Sequence, residues 1–226
     1  MCITNMLVVQ ALACSGGRGS RRADGYPVGS LAGSPASVTG VPRAGEPAAR
    51  RAEFSQGGCL GKVRRKLPHS HTCFVCGESN PRGLNLRFYA DEHGASAPIL
   101  LSEEQMGYPG VAHGGVLMSI LDELMGWAGT LQTGEFSVSA EINTRFLKPV
   151  PIRTPLTAQA RMTARRGRVW YVQGEIVDDQ GTVYVRATGK YVSIGKERTA
   201  EILKRMIHDP DALSPEELWR AWNQEE

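Results

Sequence analysis

Between Gly107 and Ala128 the chain passes from a glycine-rich turn into an apolar stretch with helical spacing. Val116, Leu117, Ile120, Leu121, Leu124, Ala128 and Leu131 recur every three or four positions. That pattern lines one side of a helix running from His113 to about Leu131. Elsewhere the period shortens to two, the mark of strands. Leu84–Tyr89 alternates, and Ala97–Leu101 is a second short strand. After the helix come longer β segments at Phe136–Leu147, Leu156–Ala164, Val169–Val177 and Val183–Ile194. Pro149 and Pro151 separate the first pair, and Arg165–Arg168 and Asp178–Gly181 are turn signals between the others. One long helix followed by an antiparallel meander is the expected order.

The two ends differ from this middle. Residues 1–67 are rich in Gly, Ala, Ser, Pro and Arg, with few aromatics and no sustained period. Such a composition cannot bury enough apolar surface to offset its ordering entropy, so a disordered extension or a misassigned start is expected. Met6–Cys14 is apolar but short, and no Lys or Arg precedes it, so an export signal is not expected. The tail from Lys196 reads as helical. Ser214-Pro215-Glu216-Glu217 supplies an N-cap, a proline in the first turn and a capping-box glutamate. Three regions result: residues 1–67, a folded domain over 68–195, and a helical tail over 196–226 that docks on the domain or a partner.

Composition narrows the class. Lys and Arg number 26 against 23 Asp and Glu, a formal charge of +3, which does not call for nucleic acid. No apolar run is long enough for a membrane span. The five cysteines are odd in number and none follows Cys76, so a reducing, cytoplasmic setting without a disulfide framework is expected.

The candidate chemistry sits on the helix. His113-Gly114-Gly115 opens it, so unpaired backbone N–H groups stand where a polarised oxygen could dock. Asp122 lies within an otherwise oily segment, where a carboxylate is costly unless solvated, paired or used. An oxyanion-binding helix end with a carboxylate suits acyl transfer, the carboxylate acting as general base or nucleophile. At about 1.5 Å per residue, Asp122 stands roughly 10–12 Å along the axis from Gly114 and Gly115. One helix therefore cannot place both on one carbonyl, and cooperation requires a second subunit related by a two-fold axis.

His-Gly-Gly followed by Leu121-Asp122 resembles the hotdog-fold acyl-CoA thioesterases of the PaaI-like, phenylacetate-degradation type. Cys73-Phe74-Val75-Cys76-Gly77, Asn80-Pro81-Arg82-Gly83-Leu84 and Arg145-Phe146-Leu147-Lys148-Pro149-Val150 carry the same resemblance, which spans roughly residues 73–194. It implies an α+β hotdog fold, a long central helix wrapped by an antiparallel sheet. It also implies a dimer or dimer of dimers that hydrolyses a CoA thioester, with coenzyme A part of the substrate and no other cofactor. On that reading Asp122 is the catalytic carboxylate, with Glu123 the alternative. Gly114 or Gly115 supplies the oxyanion donor, His113 shapes the helix start, and Ser139 is the positional counterpart of a strand serine that holds water. Many relatives carry an Asn before His-Gly-Gly; here only Gln105 and Tyr108 could stand in for it.

Arg165, Arg166 and Arg168 are the candidates for the CoA phosphates, with Arg145 and Lys148 behind them, because guanidinium forks match phosphate oxygens. His69, His71, Cys73 and Cys76 contain half of a zinc ligand set but lack a second pair at proper spacing, so no metal is expected. A hotdog dehydratase, needing a catalytic histidine, and a non-catalytic acyl-CoA-binding module are the alternative functions.

Overall fold

The computed structural model describes residues 64–92 and 94–222, with side chains up to Leu218. Strands β1 (Arg65–Lys66), β2 (Tyr89–Asp91) and β3 (Gly94–Ile99) come first, followed by a small hairpin of β4 (Met106–Tyr108) and β5 (Val111–Ala112). Helix α1 (Gly114–Thr133) follows, then β6 (Ser137–Phe146), β7 (Leu156–Arg166), β8 (Val169–Val177) and β9 (Val183–Ser193). Helices α2 (Lys196–Leu203) and α3 (Pro215–Trp222) close the described chain.

Seven strands form one antiparallel sheet in the order β1-β2-β3-β7-β8-β9-β6. The expected meander therefore holds only for β7, β8 and β9. β6 crosses over to pair with β9, and among the described residues its other edge is open. Helix α1 lies across one face of the sheet. Leu117, Ile120, Leu121, Leu124, Met125, Trp127 and Ala128 are buried along it, so the apolar stripe packs on the strands as its period requires. Its end is set by Gly134, whose left-handed backbone (φ 67°) lets its N–H reach the Thr130 carbonyl. This is the hotdog architecture.

Glycines on α1 make room for side chains rather than for another backbone. A Cβ on Gly129 would lie 2.5 Å from the Trp170 ring, so the indole packs directly against the helix. Gly126 faces Tyr191 with more space, 3.9 Å to the nearest ring carbon.

Two local expectations change. Leu84–Phe88 is not a strand. Asn85 adopts φ 50°, a left-handed conformation that breaks extension, and the N–H groups of Leu84 and Leu86 bond to the carbonyls of Phe74 and Val75. At the N-terminal boundary, Arg65 and Lys66 pair with β2 and Leu67 is fully buried, so these residues belong to the fold. The first 63 residues, including Met6–Cys14, lie outside the described residues.

The tail docks where β1 begins. The Leu213 N–H bonds to the Lys66 carbonyl, the Lys66 ammonium meets Asp209 and Asp211, and Leu218 is buried. The capping box on α3 forms in both directions, Glu217 N–H to Ser214 Oγ at 3.1 Å and Ser214 N–H to Glu217 Oε2 at 2.8 Å.

Candidate active site

Asp122 lies near the middle of α1 on the side that faces the sheet's β9–β6 edge. Cross-strand pairing places Trp170, Tyr191 and Ser139 opposite one another on β8, β9 and β6. Tyr191 and Ser139 both reach Asp122. The Tyr191 hydroxyl stands 3.0 Å from Asp122 Oδ1, and the Ser139 hydroxyl adds a second hydrogen bond. A bulge in β6 follows at once, where the register slips between Ser139 and Glu141. Such a bulge re-aims a strand beside a site.

Burial pushes the Asp122 carboxyl up to about 6, and the hydrogen bonds from Tyr191 and Ser139 pull the other way. Burial and the neighbouring Asp122 charge drive the Tyr191 phenol far above its ordinary range, so it stays a hydrogen-bond donor. A carboxylate that titrates near neutrality is well suited to exchange a proton with water.

Asp122 and Tyr191 border a narrow, largely apolar pocket lined also by Trp127 and Phe136. Trp127 and Phe136 meet edge to face with ring centroids 5.3 Å apart. Ser137 Oγ and Trp127 Nε1, both on residues lining the pocket, are buried without a hydrogen-bond partner.

Tyr191 was not singled out in the sequence. Its signal is Gly189, two residues earlier on the same strand face: a Cβ there would lie 2.5 Å from the Tyr191 ring. A glycine inside a strand that otherwise alternates marks such a close approach.

The helix start is built separately. His113 is the N-cap, and its Nδ1 accepts the Gly115 N–H at 3.0 Å. The Nδ1 lone pair is thus engaged, and Gly115 already has an acceptor. Gly114, at the first helical position, has no intrahelical acceptor for its N–H, and the Phe146 ring from the end of β6 packs over its Cα. Gln105 does not replace the missing asparagine, because its Oε1 accepts from Ser102 N–H and Ser102 Oγ in a capping box. Tyr108 is 78% exposed.

Glu123 borders the same pocket as Asp122, but its carboxylate has a different partner. It is buried, and the Cys73 thiol donates to its Oε2 at 2.9 Å. His71 is exposed and lies beside Glu78, while the buried His69 places its Nε2 3.2 Å from the same carboxylate. The two histidines thus turn away from the Cys73–Cys76 pair. Arg165, Arg166 and Arg168 sit on the β7–β8 turn. There Arg165 Nε bonds to Gly167 O, Arg166 lies over the Tyr171 ring and an Arg168 N–H bonds to the Ser193 carbonyl. Ser193 in turn bonds to Glu135, just past the end of α1. Within one chain these arginines therefore lie at the opposite end of α1 from Gly114. Arg145 and Lys148 are nearer to it, flanking Phe146 and Leu147.

No helix among the described residues is long and apolar enough to cross a membrane.

A sequence model of the thioesterase superfamily matches residues 109–185, from the turn before His113 into β9. The bovine (Bos taurus) acyl-coenzyme A thioesterase THEM4 is 26% identical over 95 residues, covering 42% of this chain and 38% of the relative. Its mouse (Mus musculus) counterpart is 28% identical over 94 residues, covering 41% and 40%. The chain thus spans less than half the length of the curated relatives it matches. Among solved structures, the E. coli PaaI protein from the phenylacetic acid degradation operon is similar at 25% identity. That match has a TM-score of 0.42 and covers 45% of this chain and 72% of that one. The sequence similarity to the thioesterase superfamily thus rests on residues 109–185.

Proposed function

We propose that the protein hydrolyses an acyl-CoA thioester to the free acid and coenzyme A. The observation that carries this reading is Asp122. It is a half-buried carboxylate raised to about 6, held by Tyr191 and Ser139 at the edge of an apolar pocket. As general base it takes a proton from water while the oxygen attacks the thioester carbon. The tetrahedral oxyanion collapses, the C–S bond breaks, and the thiolate leaves with the proton returned by Asp122. Ser139 would orient the water. The acyl group would occupy the pocket beside Trp127, Phe136 and Tyr191.

The oxyanion needs N–H donors that Asp122's own helix start is too far away to give, by roughly 10–12 Å along the axis. A second subunit, packed so that its α1 N-terminus faces Asp122, supplies them. Gly114 is the better donor, since the Gly115 N–H already bonds to His113. Losing one such donor costs about 10²–10³ in rate. The open edge of β6 is ten residues long and ends at the exposed Phe146, features that invite pairing with another chain. With the two α1 helices antiparallel, the Arg165–Arg168 turn of one subunit would extend past the helix start of the other. Its guanidinium groups would then lie within reach of the CoA phosphates. No metal or redox cofactor enters the scheme.

The test is release of CoA thiol from short, long and aryl acyl-CoAs, comparing wild type with Asp122→Ala and with Glu123→Ala. Turnover that falls at least a hundredfold in Asp122→Ala supports the reading. Collapse in Glu123→Ala alone moves the catalyst one residue. Acyl-CoA bound tightly without turnover by wild type replaces the enzyme with a binding module.

A further inference from the structure

We propose that Cys73, Cys76 and Glu123 bind one zinc ion, which ties the Cys73–Cys76 turn to the middle of α1. The two thiols and the carboxylate offer ligand atoms that all lie within 4.8 Å of one another, and all three residues are buried. A tetrahedral zinc with Zn–S near 2.3 Å separates its ligands by about 3.5–3.8 Å, so only small shifts bring the three to coordination distance. The carboxylate comes from a helix far along the chain, which is why spacing within residues 69–76 gave no complete ligand set.

The turn is built to present sulfur. The Val75 N–H donates to Cys73 Sγ at 3.3 Å and the Ser70 N–H to Cys76 Sγ at 3.4 Å. Each sulfur thus accepts one backbone N–H, which fixes where it points. Gly77 closes the turn, its N–H bonding to the Cys73 carbonyl at 3.0 Å. A Cβ there would lie 2.3 Å from that same oxygen, so no other residue fits without moving the loop. An Arg87 N–H donates to the Cys76 carbonyl at 3.1 Å, which places a positive charge beside a donor set that keeps one net negative charge around a divalent ion.

Two thiolates with one carboxylate favour zinc over the hard cations calcium and magnesium. Three protein ligands leave one position of a tetrahedron for water. Binding releases the two thiol protons to solvent and requires no oxidant or reductant. The inference is independent of the thioesterase reading, because Glu123 and the cysteines take no part in the proposed hydrolysis.

The experiment uses the full chain purified with reductant, in a background where Cys2, Cys14 and Cys59 are replaced by serine. Zinc is counted per chain after dialysis, and the zinc is exchanged for cobalt. One zinc per chain, with thiolate-to-cobalt charge-transfer absorption, is expected. Adding Cys73→Ser or Cys76→Ser should cut zinc to under a tenth per chain, and Glu123→Gln should weaken binding at least tenfold in a chelator competition. The proposal is overturned if this background chain carries no zinc and develops no cobalt–thiolate absorption. A Cys73–Cys76 disulfide, seen as a loss of two hydrogens in mass under the same reducing conditions, overturns it equally.

Discussion

The Tyr191 hydroxyl stands 3.0 Å from both Asp122 Oδ1 and the Asp122 carbonyl oxygen, so one phenolic proton is shared between a carboxylate and its own backbone. The ring that carries it is fully buried between Gly189 and α1. A strand residue thereby holds the rotamer of a helix carboxylate and lowers a proton affinity that burial raises. Asp122's other facing donor is Ser139, while the adjacent Glu123 is turned toward Cys73.

Tyr191→Phe keeps the packing and removes the donor. A hydrogen bond to a charged group contributes about 1.5–3 kcal/mol, and one pH unit is about 1.4 kcal/mol. Because the bond lowers the Asp122 value from where burial alone would set it, its loss moves that value upward from about 6 by about one to two units. The acid limb of kcat/KM against pH should shift to match. An acid limb that stays in place would show that Asp122 is not the group whose ionisation the rate reports.

Much of this site was legible in the chain because helical periodicity is local. The apolar stripe placed α1, and a carboxylate inside that stripe marked Asp122. Ser139 was visible only through family likeness, and Tyr191 was not visible, since both depend on β6 pairing with β9. That pairing is a crossover, and the alternation of either strand is satisfied equally well beside another neighbour. Asn85 shows the opposite failure. Its flanks alternate like a strand, yet one left-handed residue turns the backbone to bond with Phe74 and Val75 instead. The partner of the Cys73–Cys76 pair was hidden for a third reason: Glu123 reads as an ordinary polar helix residue until the loop is folded against it.

Two glycines of α1 should respond to alanine in opposite ways. Alanine gains about 1 kcal/mol over glycine in a helix interior. At Gly126 the new Cβ has 3.9 Å to its nearest neighbour, so Gly126→Ala should raise the melting temperature. The same methyl narrows a pocket that Gly126 lines, and KM for bulky acyl groups should rise. At Gly129 the Cβ would meet Trp170 at 2.5 Å, and overpacking of this kind costs about 1–3 kcal/mol, which outweighs the helix gain. Urea unfolding of the two variants checks both signs.

His113→Ala should behave as the loss of a cap. Its Nδ1 accepts the Gly115 N–H, and removing an N-cap acceptor costs about 1 kcal/mol. Stability should drop by that amount while turnover falls less than tenfold, since the imidazole carries no proton in the proposed hydrolysis. A loss of a thousandfold or more would favour proton-transfer chemistry at His113, as a dehydratase requires.

Asp122→Asn should separate stability from activity. The folded carboxyl sits at about 6 against an ordinary 3.8, so folding favours its protonated form. That contribution is fully present below pH 3.8 and is lost as pH rises through 6; at pH 8 the ionised group works against the fold. The shift of about two units corresponds to at most about 3 kcal/mol, reduced by the water that reaches a half-buried group. Asparagine is neutral throughout and keeps an oxygen for Tyr191. The variant and wild type should therefore be similarly stable at pH 4, and the variant should become the more stable as pH rises to 8, while its turnover is lost. Denaturant titrations of both proteins at pH 4, 6 and 8 measure that gap. A gap that does not widen with pH would mean that burial does not set the Asp122 ionisation, and the case for it as a base tuned near neutrality would fail.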